Sequence, residues 1–215
     1  MSKLSLPTVT LFCADCVNVE RAVESIERCK SVVDFGAVKF MTNLPTDYPH
    51  IEIAQLKSLV HYSVWMLKES YKFVDTEHFL VCQHDAWIIN PEAWNPAWLN
   101  YAYIAPLFTQ CPVVGSGGFS LRQTELMRLT SAHMPHWDGT HEHAELIQPG
   151  IGAYEDGIVS MQMRPIAESH GMRYPSIYES MRFAQGGNPD PAYHSAKPFG
   201  FHREGRIGLT SPLLP

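Results

Sequence analysis

The sequence has little charge and no long apolar run. Only 18% of its 215 residues are charged, and 22 acidic against 16 basic residues leave a formal net charge of −6. An acidic protein is not drawn to nucleic acid by its overall charge, although a local basic groove stays open as an alternative. No run of about 18 consecutive apolar residues is present, so we expect no membrane span.

Cysteine is also scarce, and the chain begins without the basic, apolar and small-residue segments of a signal peptide. Five cysteines form an odd set, so we expect reduced thiols and a cytoplasmic location rather than a disulfide framework. Cys13 and Cys16 have the CxxC spacing of redox and zinc sites, but no second such pair follows. We interpret them as small residues at the end of a buried strand.

Apolar residues make up 45% of the chain and aromatic residues 11%, a composition typical of a globular protein. The length suffices for one domain with a full hydrophobic core and is short for two. We therefore expect a single domain over residues 1–208 and a C-terminal tail over 209–215.

The N-terminal part alternates between two kinds of pattern. Short β-branched and apolar runs predict strands at 7–13, 37–41 and 79–83. Apolar residues at helical spacing predict helices at 18–31, with Asn18 as N-cap, and at 54–73. This order predicts an α/β fold, a single Rossmann-like domain with a mostly parallel central sheet flanked by helices.

The C-terminal half is less regular. Residues 101–105 and a short run from Phe119 predict strands, and a helix should follow from about Gln123. Another helix is predicted at 155–169, kinked or ended by Pro165. The stretch 132–151 is rich in His, Pro and Gly without periodicity, and we expect it to be a long loop.

The strongest local signal for a site is QHDAW, directly after the strand at 79–83. Ligands of open α/β sheets bind at the carboxyl ends of the strands. A carboxylate at Asp85, with His84 beside it, is suited to holding Mg²⁺ or Mn²⁺ against a diphosphate. The alternative is that both residues are a polar cap on the strand end.

Two further motifs offer backbone and carboxylate groups. Gly115–Gly118 contains three glycines in four residues, so the backbone can approach a ligand closely, although a tight bend would use them equally well. No GKS or GKT follows, which excludes a P-loop. Glu155 and Asp156 stand at a predicted helix start, where they favour the helix dipole or supply a general base.

Histidines form the last set of candidates. His202 lies near the C-terminus in FGFH and gains meaning only as a partner of a carboxylate. The loop at 132–151 adds a histidine-rich stretch, in which His141 and His143 could hold zinc with a third ligand. No HExxH motif is present, and a solvated loop is the favoured interpretation.

The ordered set QHDAW, NPEAW, YAYIAP, VGSGGFSLR, YED and FGFH resembles the glycosyltransferase-like domain-of-unknown-function family 5672. The resemblance extends from about Pro7 to about Gly205, and its specificity lies in the order of six motifs. It implies a compact GT-A fold, a divalent metal ion, and a sugar donor activated by a nucleoside diphosphate.

The resemblance implies roles for individual residues. Asp85 takes the place of the metal aspartate, and His202 that of the late histidine which completes the metal site. Gln83 stands where the first acid of the Asp-x-Asp motif is expected, so the motif is degenerate here. Asp156 matches the catalytic base, and Glu155 a ligand to a sugar hydroxyl.

The resemblance also implies a donor-binding set, which comprises Asp15, Ser58, Tyr62, Gln83, His84, Gly117 and Gly118. Two departures from the family pattern, Ala86 for Gly and Ala102 for Asp, indicate an altered donor or acceptor pocket.

The function that follows is a metal-dependent glycosyltransferase. It would use Mn²⁺ or Mg²⁺ and a nucleoside-diphosphate sugar, with UDP-sugar the first choice, and would act with inversion through a carboxylate base. The acceptor stays open among a glycan, a small molecule and a modified nucleobase in DNA. Two alternatives remain, a metal-dependent hydrolase of phosphoesters or sugar phosphates and a non-catalytic sugar- or nucleotide-binding module.

Overall fold

The computed structural model describes residues 3–108, 114–133, 154–186, 192 and 194–202. Several parts of the sequence discussed above lie outside these ranges, namely one of the five cysteines (Cys111), His141, His143 and the tail 209–215.

Nine strands within the described residues form two sheets. In chain order they are β1 (Leu4–Ala14), β2 (Val33–Thr42), β3 (Ile51–Glu52), β4 (His78–Cys82), β5 (Ala86–Ile88), β6 (Tyr103–Ile104), β7 (Phe119–Gln123), β8 (Ala184–Gln185) and β9 (Gly200–His202). The central sheet has the order β3-β2-β1-β4-β7-β6, and the small sheet the order β5-β9-β8. Pairs from β3 to β4 are parallel, whereas β7 runs antiparallel to both neighbours. The predicted α/β fold with a mostly parallel sheet is confirmed.

The helices lie between these strands. They are α1 (Val19–Val32), α2 (Leu59–Lys68), α3 (Thr124–His133), α4 (Glu155–Gly157), α5 (Arg164–Ser169) and α6 (Ile177–Phe183). A π-helical turn (Ile158–Gln162) continues α4, and short 3₁₀ helices cover Ser70–Phe73, Pro91–Ala93 and Pro96–Asn100.

The predicted helix boundaries were partly wrong. The helix expected at 54–73 begins only at Leu59, because Ser58 caps it by accepting a hydrogen bond from the His61 backbone N–H. The interruption predicted near Pro165 is confirmed, because the helical segment from Glu155 ends at Gln162 and α5 begins at Arg164. Pro165 lies in the first turn of α5, where a missing N–H costs nothing. The short helix α6 was not predicted.

The first strand is longer than predicted, because it does not begin at Pro7 but continues through it from Leu4. Proline has no N–H for the ladder, and the β1–β2 register shifts between Leu6 and Thr10. Gly36 on β2 lies against Pro7, where a residue with a Cβ would collide with the Pro7 carbonyl oxygen. β1 therefore pairs with β2 on both sides of the proline.

Alternate residues of the central sheet feed two hydrophobic clusters on its opposite faces. On one face Phe12 and Phe79 pack with α2, α3 and the α4–α5 segment. On the other face Leu11 and Leu80 pack with α1 and the small sheet. The described cysteines, Cys13, Cys16, Cys29 and Cys82, are buried free thiols, which confirms the structural interpretation of Cys13 and Cys16. No helix in the described part of the chain has both the length and the apolar character needed to cross a bilayer.

An aromatic cluster joins the small sheet to the central one. Trp98 has no exposed surface and packs edge-on to Trp94 and Phe183, with ring centroids 5.4 and 5.3 Å away. Its indole N–H donates to Glu179 Oε2 at 2.7 Å, so the buried ring also satisfies its polar atom. This cluster supports β9, whose last residue is His202.

We expect Trp98→Ala to lower the free energy of unfolding by about 3–5 kcal/mol, because it leaves a large cavity among aromatic rings. Trp98→Phe should cost less, about 1–2 kcal/mol, because it loses mainly the hydrogen bond. Urea denaturation followed by fluorescence and circular dichroism measures both. Equal losses for the two variants would contradict this description of the cluster.

Candidate active site

The candidate site lies where β1 and β4 end side by side. These parallel strands terminate at the same edge of the sheet, and β7 begins there because Cys82 of β4 pairs with Phe119 of β7. The segments after β1 and β4 therefore meet the glycine-rich segment before β7. This is the edge at which open α/β sheets bind ligands.

Asp15 organises the loop after β1. Its Oδ1 accepts hydrogen bonds from the backbone N–H groups of Val17 (2.8 Å) and Asn18 (2.6 Å), while Oδ2 lies 3.0 Å from His84 Nδ1. Asn18 occupies the N-cap position of α1, but its side chain makes no capping bond, so Asp15 supplies the carboxylate at this helix start. The loops after β1 and β4 are thereby joined through Asp15 and His84.

The Asp15–His84 contact shifts both groups toward their charged forms. The hydrogen bond that His84 donates to Asp15 raises the pKa of His84 above its usual value despite partial burial. Burial alone would raise the pKa of Asp15, but the bonds from His84 and the two backbone N–H groups outweigh it and lower that pKa. Both shifts favour the ionised form of the pair at the strand ends.

Asp85 and His202 are brought together by the small sheet, in which Ala86 pairs with His202. His202 Nε2 lies 3.5 Å from Asp85 Oδ1, too far for a good hydrogen bond, and this buried oxygen has no hydrogen-bond partner. Ser116 Oγ lies 2.8 Å from His202 Nδ1 and holds the ring in orientation. One carboxylate oxygen and one imidazole nitrogen thus face the same small space.

This donor set fits a divalent cation. Mn²⁺ accepts imidazole and carboxylate ligands together, and an orphaned carboxylate oxygen gains a partner when a cation is present. Within the described residues no third His, Cys, Asp or Glu completes a metal cluster with them. The remaining coordination positions would therefore go to oxygen atoms of a bound ligand, of water or of an amide, as is usual for such ions.

Gln83 and Gly118 line the same space. Gln83 donates from Nε2 to Tyr62 Oη at 3.1 Å and from its backbone N–H to the Gly118 carbonyl at 2.9 Å. A Cβ at Gly118 would collide with His202 Nε2 and Gln83 Oε1, so this position requires glycine. Tyr62, on α2, therefore reaches the site through Gln83.

Asp156 lies on the other side of the glycine pair. Its Oδ2 accepts a hydrogen bond from the Gly117 N–H at 3.1 Å, and its Oδ1 accepts one from the Gly157 N–H at 2.8 Å. Burial and the neighbouring Glu155 charge raise the pKa of Asp156 to about 6. A π-helical turn follows within two residues, a feature often found beside functional sites.

Arg122 is the site residue that the sequence analysis missed. It has no exposed surface, and its Nη1 and Nη2 donate to Glu155 Oε2 and Oε1 at 2.7 and 3.1 Å. Its Nε donates to Ser120 Oγ at 2.9 Å, and Nη2 also donates to the Gly117 carbonyl at 3.2 Å. The local pattern gave no signal, because Ser120 and Arg122 alternate with Phe119 and Leu121 as polar residues on the solvent face of a strand do.

The predicted site residues are thus largely brought together. Contacts join Asp15 to His84 and Tyr62 to Gln83, and the remaining candidates cluster around the glycine pair. Ser58 differs, since its exposed hydroxyl caps α2 one turn before Tyr62. Glu155 also differs, because its buried carboxylate is paired with Arg122 inside the protein instead of facing the open side. That geometry argues against the sugar-hydroxyl contact expected for Glu155.

Comparison with known sequences shows the family. The sequence profile of the family described as "Protein of unknown function (DUF5672)" matches residues 46–202, more than two thirds of the chain, and the chain therefore belongs to this family. No curated protein sequence matches the chain.

Comparison with solved structures shows the fold. A glycosyltransferase involved in the glycosylation of the major capsid of PBCV-1 has a TM-score of 0.56 at 14% identity, over 93% of this chain and 94% of that one. The mannosyltransferase PcManGT from Pyrobaculum calidifontis, in complex with GDP-Man and Mn²⁺, has a TM-score of 0.43 at 10% identity, over 73% of this chain and 53% of that one. GlyE from Streptococcus pneumoniae TIGR4 has a TM-score of 0.42 at 13% identity, over 94% of this chain and 54% of its own. The chain has a glycosyltransferase-like fold and spans about half the length of the latter two proteins.

We expect the charge of Asp15 to stabilise the fold within a limited pH window. Because the pKa of Asp15 is lowered, its charge contributes stability above the unfolded value of 3.8. This stability is lost as the pH falls through the pKa of the folded state. The raised pKa of His84 contributes below its unfolded value of 6.5 and is lost as pH rises through the folded value. Asp15→Asn keeps the oxygen that accepts from the backbone and removes the charge, so it should cost about 1 kcal/mol more near pH 5.5 than near pH 8.5.

Urea denaturation of the wild type and of Asp15→Asn at the two pH values measures this difference. His84→Gln is the matched partner variant, and the double variant should show no further pH-dependent loss. A cost that is the same at both pH values would contradict a charged Asp15–His84 pair.

Proposed function

We propose that this protein is a metal-dependent glycosyltransferase of the GT-A type that transfers a sugar from a nucleoside diphosphate to an acceptor hydroxyl. The observation that carries the proposal is the pair of neighbouring glycines. Gly118 lies against His202 and Gln83, whereas Gly117 lies against Glu155 and Asp156. One dipeptide therefore lies between His202, which belongs to the metal-type donor pair, and Asp156, a carboxylate with a raised pKa.

The metal-type pair would hold Mn²⁺ or Mg²⁺. Asp85 Oδ1 and His202 Nε2 are the donor atoms, and Ser116 keeps the His202 ring turned toward them. When bound, the ion would neutralise negative charge on the departing diphosphate. His84 would add positive charge nearby, because Asp15 raises its pKa.

Asp156 would act as the general base. A base works best when its pKa lies near the working pH, and the raised pKa of Asp156, about 6, leaves it ionised yet basic at neutral pH. Hydrogen bonds from the Gly117 and Gly157 N–H groups orient its two oxygens. As Asp156 takes the acceptor proton, the acceptor oxygen would bond to the anomeric carbon from the face opposite the diphosphate, whose bond to that carbon breaks. One such in-line displacement leads us to propose inversion at the anomeric carbon.

The donor would lie along the strand ends. Asp15, Tyr62, Gln83 and His84 line this edge by the contacts described, and a UDP-sugar is the first donor to test. We propose a glycan or a small molecule as acceptor. No observation among the described residues favours a DNA acceptor, so the nucleobase alternative is not carried forward.

A binding module without turnover is the second candidate, and the degenerate Gln83-x-Asp85 motif is the observation that favours it. The hydrolase alternative depended on zinc held with the histidines of the loop 132–151, most of which lie outside the described residues. Fold similarity to a solved glycosyltransferase at a TM-score of 0.56 supports the transferase over the hydrolase.

We expect Asp85→Asn to weaken Mn²⁺ binding at least tenfold, because loss of outer-shell partners alone costs about 10–100-fold at metal sites. Titration calorimetry, or the relaxation of water protons by Mn²⁺, measures the affinity without any substrate. Asp75→Asn is the matched control, since the Asp75 carboxylate is 91% exposed and lies outside the site. Unchanged Mn²⁺ binding in folded Asp85→Asn would remove Asp85 from the metal site.

We expect Asp156→Asn to lower kcat by about 10²–10⁴-fold while donor binding is retained, because the amide cannot accept the acceptor proton. In the wild type kcat/KM should rise with pH through about 6, as Asp156 loses its proton, and this limb should vanish in the variant. Steady-state kinetics across pH gives both results. A product with retained anomeric configuration, identified by NMR, would rule out Asp156 as the base.

A further inference from the structure

Arg122 occupies an unusual place on β7. Phe119 and Leu121 of this strand join the cluster beneath α1, so Ser120 and Arg122 point to the opposite face, toward α2 and α4. The guanidinium is fully buried there and lies 5.4 Å from the centroid of the Tyr103 ring. A buried cation is costly unless every N–H is paired, which gives Arg122 a strict geometric requirement.

Four of the five N–H groups of Arg122 are paired, with Ser120 and with groups that surround the proposed base. It holds both carboxylate oxygens of Glu155, at 2.7 and 3.1 Å, and Glu155 immediately precedes Asp156 in the chain. It also donates to the Gly117 carbonyl, at 3.2 Å. Ser120, itself bonded to Arg122, donates to the same carbonyl at 2.8 Å.

The Gly117 residue completes the connection. Its carbonyl oxygen is held by Arg122 and Ser120, while its N–H donates to Asp156 Oδ2 at 3.1 Å. A Cβ on Gly117 would contact Glu155, Asp156 and Arg122, so no side chain could fit between these groups. Asp156 is thus fixed from two sides, through its chain neighbour and through its own carboxylate.

We infer that Arg122 is a positioning residue for Asp156, which it holds through Glu155 and through the Gly117 peptide. The inference deepens the proposed function, because it rests on Asp156 as the base. Arg122 itself would not touch the substrate. It fixes where the carboxylate points, and with Glu155 it sets the charge that the carboxylate experiences.

The charges around Asp156 give this role a measurable consequence. Among the described residues, the groups facing it are Glu155 on α4, Arg122 on β7 and the Tyr103 hydroxyl on β6, while Tyr62 on α2 faces Glu155. Glu155 raises the pKa of Asp156 and Arg122 lowers it. Removal of the Glu155 charge takes away the repulsion that raises the pKa of Asp156. It also leaves the positive charge of Arg122 uncompensated, and this charge lowers the pKa of Asp156 further.

The test is a pH titration of the full chain by carbon NMR, with ¹³C in the aspartate carboxyl groups and Asp156→Asn to assign the resonance. In Glu155→Gln the pKa of Asp156 should fall from about 6 by roughly one unit or more. Arg122→Lys keeps the charge but cannot hold Glu155 and Gly117 together. It should lower kcat at least about tenfold with donor KM nearly unchanged, because small misplacements of a catalytic group are costly.

Matched controls come from an exposed ion pair on α3. Glu125→Gln and Arg128→Lys make the same chemical changes in a pair whose side chains are 62% and 57% exposed, and both should titrate and turn over as the wild type does. A folded Glu155→Gln protein in which Asp156 titrates as in the wild type would overturn the inference. Should that variant fail to fold, Arg122→Lys decides by its kcat, and a wild-type kcat would overturn the inference equally.

Failure of the proposed function has a different signature. If the chain transfers no sugar, the kinetic comparison is lost, but the NMR titration of Arg122→Lys and of Glu155→Gln still reports whether the Arg122–Glu155 pair controls the pKa of Asp156. If transfer occurs and the titration is insensitive to Glu155→Gln, the function stands and the positioning role does not.

Discussion

The antiparallel pairing of β7 with β4 is the constraint on which the candidate site depends. Five consecutive residue pairs, from His78–Gln123 to Cys82–Phe119, place the start of β7 directly beside the end of β4. The Gly115–Gly118 segment must then lie over the segment that carries Gln83 and Asp85. Because Arg122 is on the same strand, its guanidinium comes to lie beneath the glycines, where it meets Glu155.

This arrangement concentrates buried charge in a small volume. Arg122, Glu155 and Asp156 are all largely or fully buried, and burial alone disfavours each charged form. Pairing resolves the conflict for Arg122 and Glu155, whereas Asp156 receives only backbone N–H groups and keeps a raised pKa. Asp85 Oδ1 likewise has no hydrogen-bond partner, although His202 Nε2 lies 3.5 Å away. The carboxylates of Asp156 and Asp85 lie on either side of the glycine pair, and these are the groups to which we assign chemistry. The Arg122–Glu155 ion pair supports them.

Local patterns in the sequence were sufficient for the main elements of the fold. The strands β1, β2 and β4 and the helix α1 have clear apolar patterns, and their order predicted the parallel part of the sheet correctly. The small sheet was not predicted, because strands of two or three residues show no alternation. The antiparallel direction of β7 was also missed, since strand direction depends on the path of the chain between elements.

The site could be predicted only in part, for the same reason. Asp85 and His202 were named because of the motifs around them, but their approach to 3.5 Å depends on β5 pairing with β9 across more than a hundred residues. Glu155 and Asp156 are adjacent carboxylates that the sequence does not distinguish. The buried Arg122 distinguishes them, because it pairs with Glu155 and leaves Asp156 with a raised pKa. Contacts between residues far apart in sequence could not be predicted, whereas the position of a motif at a strand end was enough to predict where the site lies.

The central claim is that the strand-end edge binds a nucleoside-diphosphate sugar with the help of a divalent ion. Titration calorimetry of the wild-type protein against a panel of nucleoside-diphosphate sugars, each with and without Mn²⁺, tests it most directly. The account predicts that one donor binds and that its binding requires the ion. Absence of binding to every donor by folded protein, or equal binding with and without Mn²⁺, would contradict it.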